Sequence, residues 1–542
     1  MRNSPWSQEN HERGVTVPTR APVSSIHILV VAALILGSLA PVWATEFFPS
    51  QNGPWYLLAA HMMREYGNPQ WNYAEYYELS WHPIPHMLHT LLMFGFSYLA
   101  PIFIAQKLAL SVYVILLPLS IFYFLSVAAP DKKVLGYFAF LMIHSYTFYR
   151  GYHNFCLSIP LFFFTFAVWL RHRENLRKRD LAILAVLASL TYLSHLFAFL
   201  LLVFAIGWYQ LIQTQSFRTA LRSVFTVTWP AWLLLLYFVF LNLQVNTWVD
   251  RSEREWLLPH TAVEYFVRKF FYTTSASAYA VGVAGFLWIV YLLGRRFIQA
   301  IANGRHGLAQ ALRDPFLTMV LVLIPLYFLL PWKFWNWHYI SARMIPFMLA
   351  LSLAAAGSLP VWGRRVGFQA AFVATVALAA LAIDGLMTCE VVRLEKYVQQ
   401  YTSGIAAFEP NGKLLPIHVE NPQFGQIRPL TRAHEYYHIA RGGANGQGAA
   451  YFNTLVPVRY RAHPIERAFP GFEEDSAEQS MKRIAEAYDY VLVWAGDREW
   501  TERLQRSGFN LAHADGKLEL YRNGRSQVSV SACCYPENQP GT

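Results

Sequence analysis

Eleven apolar runs between residues 26 and 387 constrain the fold of this chain more than any other feature of its sequence. The first is Ile26–Ala44 and the last is Phe368–Met387. About 20 apolar residues in an α-helix cross the ~30 Å hydrocarbon core of a bilayer. Only 14% of the 542 residues are charged, whereas a soluble domain carries roughly 25%. The sequence therefore predicts a mainly α-helical polytopic membrane protein and excludes an ordinary soluble enzyme, a fibrous protein and a disordered chain.

The distribution of basic residues predicts the orientation of these spans, because Lys and Arg accumulate in cytoplasmic loops. If His86–Ala100 is not counted as a span, the cluster Arg171–Arg179 lies inside together with the other basic loops. We therefore predict 11 spans, an N-terminus inside, a C-terminus outside, and residues 86–100 in a helix that lies at the outer interface or re-enters the membrane. The remaining spans have approximate cores at Ile102–Val127, Val134–Tyr149, Phe155–Leu170, Leu181–Leu193, Leu196–Ile212, Val224–Leu243, Ala278–Leu293, Phe316–Leu330 and Ile345–Val361.

The chain changes character near Glu390 and becomes polar. The apolar run Tyr490–Trp494 is typical of a buried strand, helix-like stretches lie at Glu478–Tyr488 and Asp497–Arg506, and Leu518–Tyr521 indicates a further strand. This pattern predicts a small C-terminal α/β domain outside the membrane. The predicted organisation is a cytoplasmic tail (1–25), a transmembrane domain (26–389) with a long first exterior loop (45–101), an exterior α/β domain (390–523) and a disordered tail (524–542).

The first exterior loop combines carboxylates with aromatic rings. It contains Glu46, Glu75 and Glu78, and the last two lie within the aromatic-rich stretch Trp71–Pro83. Rings can stack on the C–H faces of a sugar while carboxylates accept hydroxyl protons, so the stretch suits sugar binding. The same composition is also typical of an interfacial aromatic belt with solvated acids, and the sequence leaves both interpretations open.

Basic and histidine side chains lie at the predicted outer ends of other spans. Arg150 and His153 follow the third span, His195 separates two later spans, Lys107 begins the second and Arg343 precedes the tenth. Lys107 and Arg343 are predicted to hold a phosphate at the membrane surface through charge-assisted hydrogen bonds. Snorkelling to lipid headgroups is the alternative for each residue alone. Their shared side of the membrane favours a common site.

The segment His434–His438 matches the H-E-x-x-H pattern of zinc proteases. On a helix, two histidines four residues apart would share one face, with Glu435 placed to activate a metal-bound water. No third ligand is evident in the sequence, and Gly442 and Gly443 interrupt the helix soon afterwards. We therefore assign no metal ligand, and a metalloprotease remains a minor alternative.

Three elements give the chain its resemblance to a known family. They are Asn52-Gly53-Pro54-Trp55-Tyr56, Gly151-Tyr152-His153-Asn154-Phe155 and Tyr192-Leu193-Ser194-His195. Together with the layout of spans, they resemble an uncharacterised bacterial branch of the GT-C superfamily of membrane glycosyltransferases. In that superfamily an acidic residue generally lies early in the first exterior loop, as catalytic base or metal ligand. This sequence has Asn52 there, and an amide does not accept a proton at neutral pH.

The resemblance implies a glycosyltransferase of the inner (plasma) membrane that moves a sugar from a polyprenyl-phosphate-linked donor to an acceptor on the exterior face. The expected partners are the membrane and the lipid-linked sugar, with no nucleic acid; the acceptor is unknown, and a divalent metal cofactor is left open. The expected catalytic carboxylates are Glu46, Glu78 and Glu75, and the expected substrate-binding residues are Asn52, Lys107, Arg150, His153, His195 and Arg343.

Asn52 motivates a non-enzymatic alternative, a catalytically inactive GT-C-like scaffold that binds a lipid-linked glycan or an envelope-assembly partner. A transporter is a further alternative. Against it, Asp384 is nearly the only charged residue within the apolar runs, and no inverted repeat is visible.

Overall fold

The structure is a computed structural model that describes residues 25–244, 254–271, 273–334, 337–357, 366–444, 457–461 and 477–525. The predicted cytoplasmic tail, apart from Ser25, and residues 526–542 of the predicted disordered tail lie outside these ranges.

Helices make up most of the described chain. Their bounds are α1 Ser25–Trp43, α2 Gly53–Glu65, α3 Tyr73–Tyr76, α4 Leu88–Phe96, α5 Ile102–Ala128, α6 Tyr146–Tyr149, α7 His153–His172, α8 Lys178–Ser194, α9 Leu196–Thr214, α10 Phe217–Gln244, α11 Pro259–Phe271, α12 Ala276–Ala302, α13 Gly304–Leu312, α14 Pro315–Leu329, α15 Ile345–Ala355, α16 Val366–Thr402, α17 Glu435–Arg441, α18 Ala477–Ala487 and α19 Arg498–Arg506.

Within the described ranges, seven helices are long and apolar enough to cross a membrane, namely α1, α5, α7, α9, α10, α12 and α16. Helices α13 and α14 form an eighth candidate that is bent by 77°. The prediction of a polytopic helical membrane protein is thereby confirmed. The runs that were expected to form the other spans fold into shorter or irregular segments. The count of 11 spans therefore stays a prediction.

One of those runs, Val134–Tyr149, forms a 3₁₀-helix over Pro130–Met142 that is followed by the single turn α6. A 3₁₀-helix rises about 2.0 Å per residue, so 13 residues reach about 26 Å. The segment 86–100 contains only α4, nine residues long. At 1.5 Å per residue α4 measures about 14 Å and cannot cross a bilayer, as predicted for this segment.

Aromatic packing fills the centre of the membrane domain. Phe124, Phe163, Phe166 and Phe347 lie with ring centroids 5–6 Å from their neighbours and are fully buried. Helices in lipid gain little from the hydrophobic effect and associate mainly through close van der Waals packing. The interdigitated rings of α5, α7 and α15 therefore provide a rigid base for the polar residues at one end of the bundle.

Asp384 is buried on α16 and has partners on two other segments. Ser38 on α1 donates a hydrogen bond to its Oδ2 over 3.1 Å, and Nε2 of His144 lies 3.1 Å from its Oδ1. The other ring nitrogen of His144 lies 3.0 Å from the hydroxyl of Tyr149. A charge within the membrane is stable when it is paired in this way.

The C-terminal part forms a four-stranded mixed sheet. Its strands are, in spatial order, β5 (Leu414–His418), β7 (Tyr490–Trp494), β9 (Leu518–Asn523) and β8 (Phe509–Asp515). Strands β5 and β7 are parallel, and the other pairs are antiparallel. The two predicted strands and both predicted helices in this part are present. The exterior position of the sheet and its domain boundaries stay predictions. The strands are β1 Tyr77–Leu79, β2 Arg254–Glu255, β3 Lys333–Phe334, β4 Trp337–His338, β5 Leu414–His418, β6 Val458–Tyr460, β7 Tyr490–Trp494, β8 Phe509–Asp515 and β9 Leu518–Asn523.

The aromatic stretch of the first loop docks onto the C-terminal part. Tyr73 donates a hydrogen bond to the carbonyl of His438 over 2.7 Å, and Trp71 donates one to the carbonyl of Ile439 over 2.8 Å. Tyr77 pairs with Tyr460 across the β1–β6 ladder, with ring centroids 5.1 Å apart. Because these three rings are committed to packing, they do not form an open platform for a sugar, whereas Trp81 in the same stretch is 56% exposed.

Gly151 is a point of close backbone approach between this loop and α7. Its φ is +84°, and a Cβ there would lie 2.6 Å from the backbone nitrogen of Gly53. The approach lets Gln51 and Asn52 donate backbone hydrogen bonds to Tyr149 and Arg150. Only glycine adopts this conformation at no steric cost.

We predict that Gly151→Ala lowers the melting temperature of the purified protein, because the left-handed conformation alone costs an alanine about 1–3 kcal/mol and the backbone contact adds to it. Thermal unfolding followed by tryptophan fluorescence measures the effect. Gly67→Ala is the matched control, since a Cβ there meets nothing within 4 Å. Equal melting temperatures for the two variants would contradict the assignment.

Candidate functional site

Three cations and three tyrosines converge at one end of the membrane domain. We call Arg150, Lys269, Arg343, Tyr146, Tyr152 and Tyr339 the cation–tyrosine cluster. Arg150 and Lys269 share the ring of Tyr339, each 5.5 Å from its centroid. Tyr152 follows Arg150 by two residues, and its ring lies 5.4 Å from the guanidinium of Arg343. The tyrosines thus link the three cations into one continuous group.

Separate parts of the chain supply the three cations. Arg150 ends the turn α6 and is positioned by the close approach at Gly151. Arg343 lies in the single 3₁₀ turn Ser341–Met344 that leads into α15. Lys269 lies near the end of the amphipathic helix α11, one turn after Tyr265, whose ring it also contacts. Tertiary packing therefore brings these three positive charges together.

The cluster carries positive charge that the described part of the protein does not neutralise. No carboxylate in the described ranges forms an ion pair with Arg150, Lys269 or Arg343. The Nε atoms of Arg150 and Arg343 are buried without a hydrogen-bond partner, and Arg343 is only 8% exposed. Buried cations are stable when they are paired, so the arrangement suits a bound anion.

The pKa of Lys269 reflects the same imbalance. Burial, followed by the charges of Arg150 and Arg268, lowers the pKa of Lys269 to about 8, against a weaker opposite effect of Glu264. A lysine in this range is still mostly charged at neutral pH. The cluster therefore has a net charge that can be changed by a modest rise in pH.

Arg432 brings the C-terminal part to the edge of the cluster. Its guanidinium lies 4.9 Å from the ring centroid of Trp55, and its pKa is lowered by burial and, more weakly, by the charge of Arg150. Glu435 compensates this charge. Burial raises the pKa of Glu435, but the electrostatic and hydrogen-bonding effects of His434, with smaller contributions from His438 and Arg432, outweigh burial and hold the pKa below its usual value. The carboxylate is thus ionised.

The carboxylates that the sequence proposed for catalysis are exposed. The backbone of Glu46 donates a hydrogen bond to the carboxylate of Glu395, Glu75 accepts one from Asn72, and Glu78 lies opposite Arg459 in the β1–β6 ladder. Within the described residues, no hydrogen bond, ion pair or ring contact joins these three carboxylates to the cation–tyrosine cluster. Their catalytic role stays a prediction.

The expected substrate-binding residues fall into separate places. Asn52 is hydrogen-bonded through its backbone to Arg150 and so borders the cluster. Lys107 instead lies 5.7 Å from the ring centroid of Trp43. His153 and His195 are buried beside the cluster, and Nδ1 of His195 accepts a hydrogen bond from the backbone of Phe197 over 3.1 Å.

Sequence reasoning missed Lys269, Tyr339 and Arg432. Lys269 and Tyr339 lie between apolar runs in segments with no recognisable motif, and Arg432 lies just before the H-E-x-x-H segment but is not part of that pattern. The one available signal was the amphipathic character of 259–271, where Tyr265 and Lys269 are one helical turn apart. The partners of these residues are distant in sequence, so the convergence itself was not visible.

The H-E-x-x-H segment has structural contacts. His434 precedes α17, and Nδ1 of His438 donates a hydrogen bond to the carbonyl of Gly442 over 2.8 Å. Burial lowers the pKa of His438 to about 4. Within the described residues there is no group of three or more His, Cys, Asp or Glu side chains arranged to hold a metal ion.

No protein-family model matches this chain, and no curated protein matches it by sequence. Solved structures, in contrast, match this chain by their fold. The crystal structure of ArnT from Cupriavidus metallidurans bound to undecaprenyl phosphate matches with a TM-score of 0.53 at 10% identity, over 93% of this chain and 99% of that chain. The apo state of the same protein matches with a TM-score of 0.51 at 11% identity, over 92% and 98%. This chain therefore has the fold of these ArnT structures, in agreement with the GT-C fold that the sequence predicted.

Proposed function

We propose that this chain is an integral-membrane glycosyltransferase that transfers a sugar from a polyprenyl-phosphate-linked donor to an acceptor on the exterior face of the inner membrane. The observation that carries the proposal is the cation–tyrosine cluster, a partly buried group of three cations that forms no ion pair with a carboxylate of the described residues. A phosphate on a lipid carrier supplies the missing negative charge. The GT-C fold supports the proposal, since the similar ArnT structure holds undecaprenyl phosphate.

In the proposed reaction, an acceptor hydroxyl attacks the anomeric carbon of the donor sugar. A new C–O bond forms, and the bond between the anomeric carbon and the phosphate oxygen breaks with its electron pair staying on the phosphate. Arg150, Lys269 and Arg343 stabilise the charge that develops on this leaving group. The acceptor proton passes to a carboxylate, for which Glu46 is the first candidate and Glu78 the second.

The inactive scaffold is the second candidate function, and two observations favour it. Asn52 occupies the position where the superfamily generally has an acid, and Glu46 and Glu78 are exposed without a described contact to the cluster. A scaffold would bind the lipid-linked sugar through the same cations without turning it over. Binding and turnover must therefore be measured separately.

We predict that Arg150→Gln and Arg343→Gln each weaken binding of undecaprenyl phosphate by about tenfold or more. A hydrogen bond to a charged group contributes about 1.5–3 kcal/mol, and 1.4 kcal/mol corresponds to a factor of ten. Native mass spectrometry of the purified protein measures the affinity. Arg173→Gln is the matched control, because Arg173 also lies over a tyrosine, Tyr209, at 5.2 Å. Wild-type affinity in both cluster variants would refute the phosphate site.

We predict that affinity for undecaprenyl phosphate falls as the pH rises from 7 to 9. With its pKa near 8, Lys269 is charged below this pH and loses its charge above it, so the attraction for phosphate declines. Lys269→Arg keeps its charge throughout this range, and its affinity should change less with pH. The groups around Lys269 are Arg150, Arg268, Glu264, Tyr146, Tyr265 and Tyr339. An identical pH profile for wild type and Lys269→Arg would contradict this prediction.

We predict that Glu46→Gln reduces sugar transfer at least a hundredfold, within the range that general-base catalysis contributes, while affinity for undecaprenyl phosphate is unchanged. Transfer from a radiolabelled polyprenyl-phosphate sugar to total envelope acceptors is the measurement. Glu78→Gln is tested in parallel as the second candidate, and Glu499→Gln in the exposed helix α19 is the control. Full transfer in both candidate variants would show that the base is another group. No transfer by the wild type, with binding intact, would favour the scaffold.

A further inference from the structure

Two pairs of buried histidines adjoin the cation–tyrosine cluster and have no role in the proposed chemistry of the phosphate. His86 and His195 lie with ring centroids 4.2 Å apart, and His89 and His153 lie 4.9 Å apart. Asn154 joins the two pairs. Its side-chain oxygen accepts a hydrogen bond from the backbone of His89 over 2.7 Å, and its backbone carbonyl accepts one from Ser194, the neighbour of His195. We call these four histidines and Asn154 the histidine group.

The histidine group leaves much of its hydrogen-bonding capacity unused. Both ring nitrogens of His89, Nε2 of His86 and the side-chain amide nitrogen of Asn154 are buried with no hydrogen-bond partner. The ring nitrogens of His153 also make no well-formed hydrogen bond, although the backbone of Phe148 lies close to them. Buried polar atoms in proteins nearly always have a partner, and a cluster of exceptions needs a cause.

The position of the group relates it to the phosphate site. His153 and Asn154 directly follow Tyr152, whose ring lies 5.4 Å from the guanidinium of Arg343 in the cation–tyrosine cluster. Burial lowers the pKa of His86 to about 3, and the nearby charge of Arg343 contributes to this shift. A donor whose phosphate lies against the cations can therefore place its sugar next to the histidines.

The chemistry of the histidine group selects the kind of ligand. A neutral imidazole offers one donor and one acceptor, and an amide offers both kinds, as a sugar hydroxyl does. The group contains no carboxylate, and the charge that acts on His86 and His195 is that of the cation Arg343. A sugar carrying an ammonium group would meet a positive charge and no counter-ion, which is unfavourable in a buried site.

We infer that the histidine group is the binding subsite for the donor sugar, and that this sugar is an uncharged polyhydroxylated ring rather than an amino sugar. The inference rests on the proposed function, since it takes the phosphate of the donor to lie in the cation–tyrosine cluster. It adds His86 and His89 to the residues that contact substrate, and it gives His153 and His195 a defined role in recognising hydroxyl groups.

The test compares three probes, undecaprenyl phosphate, undecaprenyl phosphate-linked glucose and undecaprenyl phosphate-linked glucosamine, on the full-length purified protein. The wild type is expected to bind the glucose-linked carrier about tenfold more tightly than the glucosamine-linked carrier. In His89→Leu this preference is expected to vanish, while affinity for undecaprenyl phosphate alone is unchanged. If the wild type binds none of the three probes, the proposed function itself is overturned.

A stability measurement separates a ligand subsite from a structural role. Replacing a buried group that has no partner by an apolar one of similar size is expected to leave stability unchanged or raise it, so His89→Leu should melt at or above the wild-type temperature. His61 is the matched control, because it is also buried but its Nδ1 lies 2.9 Å from the hydroxyl of Tyr73. His61→Leu should melt lower. A large loss of stability in His89→Leu, or a wild type that binds glucosamine-linked carrier as well as the glucose-linked one, would overturn the inference.

Discussion

Positive charge in a partly buried position, with no ion-paired carboxylate among the described residues, is the feature on which this account depends. Arg150, Lys269 and Arg343 come from three parts of the chain and are held together by tyrosine rings. A ring face attracts a cation but does not cancel its charge. Such a cluster costs stability in the absence of an anion, and proteins commonly keep this kind of cost where a ligand binds. We propose that this anion is the phosphate of a lipid carrier.

The first loop connects this cluster to the rest of the molecule. Its backbone meets the turn at Gly151 on one side, and its aromatic residues Trp71, Tyr73 and Tyr77 contact the C-terminal part on the other. The C-terminal part returns Arg432 toward the cluster, with Glu435 as its counter-charge. A ligand that moves the loop would therefore also affect the packing of the C-terminal sheet.

The sequence predicted the parts of the fold that depend on local composition. Apolar runs identified the long membrane helices, and the apolar character of Tyr490–Trp494 identified that strand. The 3₁₀ conformation of Pro130–Met142 could not be predicted, because a 3₁₀-helix and an α-helix have similar composition. Arg150 and Arg343 were identified from their place at helix ends. Lys269 and Tyr339 were missed because only tertiary packing brings them to the cluster. The docking of the aromatic stretch was missed because buried and interfacial tyrosines have the same sequence signature.

The central claim is that the cation–tyrosine cluster binds the phosphate of a lipid carrier. A cryo-electron microscopy map of the protein in lipid nanodiscs with added undecaprenyl phosphate tests it most directly. The account predicts phosphate density within hydrogen-bonding distance of Arg150, Lys269 and Arg343. Phosphate density beside Lys107 and Trp43, with none at the three cations, would contradict it.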